Sequence, residues 1–196
     1  MAFTNSTRKQ TEKLALMALL TAIVAVLAYF GGFVKIGGLA SISLTLIPVV
    51  IGAALCGPLA GAWLGFVSAL IFFTTADAIF WFGLSIPGTV ITVIVKGTLA
   101  GLCAGLAYKL LEKFNRYLAV FVSAVVCPVV NTGIFLLGSL IFFMDYVSTG
   151  AAGDGMSVGA YLIIAFVGLN FVFELLVNII LSPAILRILN IGKKNK

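Results

Sequence analysis

Apolar residues run almost without interruption along this chain, so the polar residues, Gly and Pro between them divide it into elements. Six runs stand out, at residues 14–30, 44–56, 59–73, 87–111, 118–143 and 158–189. A helix needs about 20 apolar residues to cross the hydrocarbon core of a bilayer, and these runs predict six transmembrane helices. The second and third are short and meet at Cys56-Gly57-Pro58. One helix over both would need about 45 Å, well beyond the core, so two helices joined by a tight turn are expected. The whole chain, residues 1–196, reads as a single all-α integral membrane domain.

Composition removes the alternatives. With 62% hydrophobic and 9% charged residues and a mean hydropathy of +1.25, the chain cannot cover a soluble globule. The net charge of +6 is an orientation signal and does not mark a nucleic-acid surface. With both termini inside, Arg8, Lys9, Lys13, Lys109, Lys113, Arg116, Arg187, Lys193, Lys194 and Lys196 all fall on the cytoplasmic side, leaving only Lys35 outside and Lys96 within a helix. Asp77, Asp145 and Asp154 fall on outer connections. This is the positive-inside distribution, and it favours an even number of crossings. The first run ends without a small-residue cleavage site and is read as a retained helix. The outer connections, 31–43, 74–86 and 144–157, are longer than the inner ones, which places ligand handling outside.

Small residues at spacing four mark helix contacts in lipid. Gly57, Gly61 and Gly65 form one stripe, and Gly97, Gly101 and Gly105 a second; both are expected to pack the bundle. A third, Ala18 and Ala22 with Ala15 and Ala25 nearby, lies on the first helix and faces either the bundle or an external partner.

Polar groups at membrane depth are costly and few. Lys96 lies about 13 Å below Pro87, and Asn131 about 18 Å below Phe143. Asn170, Glu174 and Asn178 recur at spacing four on the last helix, and Thr89 and Thr92 share a face with Lys96. Together they outline a polar chamber between the last three helices, opening outward. In it Lys96 attracts an anion and the Asn amides donate and accept. The competing reading is a self-satisfied Lys96–Glu174 pair with asparagines as interhelical glue. Phe72, Phe73, Phe80, Trp81 and Phe82 flank the second outer connection as an interfacial belt, unless Trp81 closes over a ligand.

The absences narrow the chemistry. There is no histidine and no G-x-x-x-x-G-K-[ST] loop, so neither the usual nucleophile pairs nor ATP hydrolysis is expected of this chain. Cys56, Cys103 and Cys127 sit in apolar runs as packing residues. No enzyme activity, cofactor or metal is expected. Glu174, alone in its stripe, is able to carry a proton, which leaves open a stand-alone proton-coupled carrier or the binding part of a larger machine.

Over nearly its whole length the chain resembles the S components of energy-coupling factor (ECF) transporters, small six-helix proteins that capture vitamins. The likeness is carried by Ala18-Leu19-Leu20-Thr21-Ala22, Val95-Lys96-Gly97-Thr98-Leu99-Ala100-Gly101 and Pro128-Val129-Val130-Asn131-Thr132-Gly133. The resemblance implies a multi-pass protein of the bacterial cytoplasmic membrane. It implies docking through Ala18 and Ala22 to an energy-coupling transmembrane subunit that carries two cytosolic ATPases. It also implies a lid at 31–43, hinged at Gly31, Gly32, Gly37 and Gly38, and a protein that topples in the membrane to deliver its load. Lys96, Asn131, Asn170, Glu174, Trp81 and Thr92 are the candidate substrate-binding residues. Pantothenate fits them first, since it offers a carboxylate, an amide and hydroxyls; folate, riboflavin and cobalamin remain open.

Overall fold

The computed structural model describes residues 2–31 and 43–194. All regular structure among them is helical. Helix α1 spans Ala2–Gly31, α2 Leu46–Cys56, α3 Pro58–Phe72, α4 Ala76–Leu84 and α5 Ile86–Leu111. Helix α6 follows at Arg116–Phe142, then α7 at Met144–Gly153 and α8 at Val158–Tyr161. A π-helical stretch, Leu162–Val167, leads into α9 at Gly168–Lys194.

The six-run pattern is met in part. Four segments are long and apolar enough to cross a bilayer: Gln10–Gly31, Ile86–Leu111, Arg116–Phe142 and Gly168–Arg187. A fifth arises if α3 and α4, bent by 83°, are counted as one broken span. Helix α2, with 11 residues, covers only about 16 Å. The turn between α2 and α3 falls at Gly57, whose φ of +100° is a conformation that side-chain-bearing residues rarely adopt.

Three expectations are corrected. Residues 74–86 and 144–157, read as outer connections, each contain a helix, α4 and α7. The first is too short for a span, and the second is rich in small residues, so neither registers as an apolar run. The last run is not one continuous helix. Its π turn ends at Gly168, where φ of +44° resets the chain direction before α9 begins.

Both glycine stripes pack as expected. A Cβ on Gly61 would fall against the carbonyl of Gly101, one on Gly65 against the carbonyl of Gly97, and one on Gly105 against Pro58. Helices α3 and α5 therefore meet backbone to backbone. On the other side of α5, the Ser123 hydroxyl of α6 donates to the Ala104 carbonyl at 2.8 Å. Cys127 is buried, and none of the three cysteines is in a disulfide. Gly65→Val is expected to force α3 off α5 and to cost about 1–3 kcal/mol or more. Thermal unfolding in detergent reads this, and Gly83→Ala, which meets open space, is expected to melt like the parent.

Much of the outer surface is greasy: Leu59, Ile79, Phe114 and Ile180 are each at least 70% exposed. Large side chains left outward on apolar helices suit lipid as the surrounding solvent.

Candidate functional site

The α4–α5 junction shapes the chamber. Ser85 caps α5, its hydroxyl accepting from the Gly88 N–H at 3.2 Å, and Pro87 occupies the first turn, where its missing N–H costs nothing. One turn on, the Thr89 hydroxyl bonds the Trp81 carbonyl at 2.8 Å and the Ser85 carbonyl at 2.7 Å. These bonds fasten the end of α4 to α5 and hold Trp81 in place, only 4% exposed.

Beneath lies a chamber of two lobes that share Ser43, Phe72, Val93 and Lys96. The upper lobe, about 460 Å³, is walled further by Asp77, Trp81, Thr89, Thr92, Phe135 and Phe143. The lower lobe, about 430 Å³, extends between α2, α3 and α5 past Thr45, Ser68 and Gly97 to Asn131. The wall is thus built around α5 from α2, α3, α4 and α6, a different set of helices from the last three that the polar pattern suggested.

Lys96 points into the junction of the lobes. Its ammonium lies 4.8 Å from the ring centre of Phe135 and 5.7 Å from that of Phe72. Both are within cation–π range, which partly replaces lost hydration while leaving the ammonium hydrogens available. The charges that bear on it are those of Glu174 and, more weakly, Asp77. Glu174 Oε1 itself accepts from the backbone N–H of Ser43 at 2.7 Å. That bond ties α9 to Ser43, three residues ahead of α2 and 131 positions away in the chain. Glu174 therefore supports the chamber wall from behind through Ser43.

The sequence-derived candidates divide accordingly. Lys96, Thr92 and Trp81 meet in the upper lobe, and Lys96 and Asn131 in the lower. Asn170, Glu174 and Asn178 form the expected buried face of α9, at 4%, 6% and 1% exposure. Asn178 turns back on its own helix, donating to the Glu174 carbonyl at 2.8 Å, and Asn170 borders neither lobe. Gly31 ends α1, while Gly32, Gly37 and Gly38 lie outside the described residues. The aromatic belt also divides. Trp81 meets Phe135 edge-on at 5.3 Å and Phe72 borders both lobes, whereas Phe80 stays 42% exposed.

Sequence reading missed Asp77, Ser43, Phe135 and Phe143 as lining residues. Asp77 carried a usable signal, a lone carboxylate next to the aromatic stretch Phe80-Trp81-Phe82. It lies in the first turn of α4 and is 5% exposed.

A lipid-facing helical bundle around a partly open aromatic and polar chamber defines a membrane protein that binds a small ligand. A family model described as ECF transporter, substrate-specific component matches residues 12–188, and the chain belongs to that family. It is a multi-pass membrane protein and the substrate-binding subunit of an ECF transporter. Its family is one of transport components and not of enzymes. Membership implies association with ECF transmembrane and ATPase subunits and a vitamin-type substrate. No curated protein and no solved structure matches the chain.

Proposed function

We propose that this protein captures pantothenate at the outer face of the bacterial cytoplasmic membrane and delivers it inward once docked to its ATPase-bearing partner. The observation that carries the substrate is Lys96. A single ammonium over two aromatic faces, in a chamber otherwise lined by one carboxylate (Asp77), hydroxyls, one amide and apolar and aromatic groups, suits one carboxylate on a small polar molecule. Asn131 and the threonines suit its amide and hydroxyls. Folate, riboflavin and cobalamin are the alternatives within the same family.

The chain crosses the membrane six times in this reading, with α1, α2, α3, α5, α6 and α9 as crossings and both termini cytoplasmic. Helix α2 is short for the task, but most of its residues are buried among its neighbours and few meet lipid. The positive-inside distribution supports the orientation. Segment 31–43 acts as the lid, hinged at Gly31, Gly32, Gly37 and Gly38; Ser43, at its far end, borders both lobes and is held by Glu174. Ala18 and Ala22 dock the partner.

Purified protein is expected to bind labelled pantothenate at a ligand concentration of about 1 µM or below, measured by equilibrium dialysis. Absence of binding at that level, with another vitamin bound, would transfer the substrate assignment to that vitamin.

A further inference from the structure

The two lobes share Lys96, but their walls differ in charge. Asp77 stands in the wall of the upper lobe, whereas no carboxylate lines the lower one. We infer that the ligand is seated in the lower lobe, with its acid group at Lys96 and an uncharged polar group, an amide or a hydroxyl, at Asn131. The substrate class is then a vitamin acid that carries a second, neutral polar group along its skeleton. This seating rests on the reading of the chamber as the vitamin site, and it deepens that reading.

Three observations carry it. Asn131 is only 7% exposed, and its side-chain amide has no hydrogen-bond partner among the described residues. Unlike the Thr92 hydroxyl, that amide is not sealed off, so the surface it keeps opens on the lobe it lines. An unpartnered amide at this depth is costly, and a ligand group that accepts or donates a hydrogen bond removes the cost. The second observation is what else the lower wall offers. The Ser68 hydroxyl is already bonded to Thr45 Oγ1 at 3.1 Å, whereas Lys96 makes no ion pair among the described residues. Lys96 and Asn131 are therefore the side chains of this wall best placed to receive a ligand. The third is charge. An acid in the upper lobe shares its space with the Asp77 carboxylate, while in the lower lobe it meets the ammonium with no carboxylate in the wall. Leu46 and Val49 border the lower lobe as well and offer apolar surface to the carbon skeleton.

The test is a binding series on the full-length purified protein, using pantothenate and an analogue whose amide N–H is replaced by an ester oxygen. Asn131→Leu is expected to weaken pantothenate about tenfold or more and the ester analogue clearly less, because the analogue has already given up part of the contact. Ser68→Leu, which fills the lower lobe from α3, is expected to weaken both ligands at least about tenfold. Equal loss of the two ligands in Asn131→Leu, or unchanged pantothenate binding in either variant, overturns the seating. The ligand-free melting temperature of Asn131→Leu should not fall below the parent, since no hydrogen bond is given up. If it does fall, Asn131→Ala takes its place, and Ser68→Leu reads occupancy of the lobe independently. Should pantothenate fail to bind while another vitamin acid binds, the substrate assignment fails alone. Asn131→Leu and Ser68→Leu then decide the seating on that acid, by loss or retention of its binding. A tight ligand with no acid group overturns the seating, and a chain that binds no vitamin overturns both.

Discussion

Replacing Lys96 by Met is expected to lower the affinity for a carboxylate-bearing vitamin by at least about tenfold, the effect of removing a charge-assisted contact worth roughly 1.5–3 kcal/mol. Met is close to Lys in length and keeps the packing between Phe72 and Phe135, so the change reads charge and not volume. Arg in place of Lys is not expected to rescue fully, because a planar guanidinium does not seat as the compact ammonium does. Trp81 supplies the readout: of the two tryptophans it is the buried one bordering the upper lobe, while Trp63 is 52% exposed. In a Trp63→Phe background the fluorescence of Trp81 reports binding directly. Unchanged affinity in Lys96→Met would remove this residue from the site.

Lys96, Thr92 and Asn131 were legible in the sequence for one reason. A polar residue within a long apolar run is costly in lipid unless a cavity or partner meets it, so its isolation is the signal. The glycine stripes were legible through spacing alone, and the backbone contacts of Gly61 with Gly101 and Gly65 with Gly97 bear this out. Asp77 escaped because its neighbours mixed two signals. Thr74 and Thr75 read as a connection, and the apolar stretch after Asp77 was too short to register as a span, so the carboxylate was counted with the loop charges. The role of Glu174 was invisible for a different reason. Its partner is a backbone N–H, that of Ser43, and main-chain donors leave no trace in the residue pattern. The π turn before Gly168 is equally silent, because its residues are as apolar as those of any helix and only the positive φ of the glycine betrays the break. The helices around α5 thus followed from pattern, while the attachment of α4 to α5 and of α9 to Ser43 came from hydrogen bonds to main-chain groups.

Introducing Trp at both Ala18 and Ala22 is expected to leave vitamin binding intact while abolishing assembly with the energy-coupling subunits, and with it uptake. The direction in which α1 turns decides this. Leu20 and Val24 face the bundle, at 5% and 0% exposure, and anchor the helix in the core beside Leu46 and Leu64. Ala15, Ala18 and Ala22 are exposed instead, so this stripe does not serve the internal packing as the glycine stripes do. Large exposed neighbours, Leu19 at 59% and Val26 at 55%, border it, leaving a shallow groove of small residues on the outer surface. Such a groove lets a second helix approach closely, and close approach is the main source of helix affinity in lipid, where no hydrophobic effect assists. Two indole rings placed there hold the partner away, and an overpacking cost of about 1–3 kcal/mol at each site reduces assembly at least tenfold. The chamber, on the far side of Leu20 and Val24, does not feel the change. Co-purification with the transmembrane and ATPase subunits measures the first effect, and pantothenate binding to the isolated variant measures the second. Phe173→Trp, on an outward position of α9, controls for adding an aromatic ring to the lipid face. Intact assembly in the double variant would move the docking surface off α1, whereas loss of assembly with binding retained separates delivery, through α1, from capture in a chamber to which α1 contributes no lining residue.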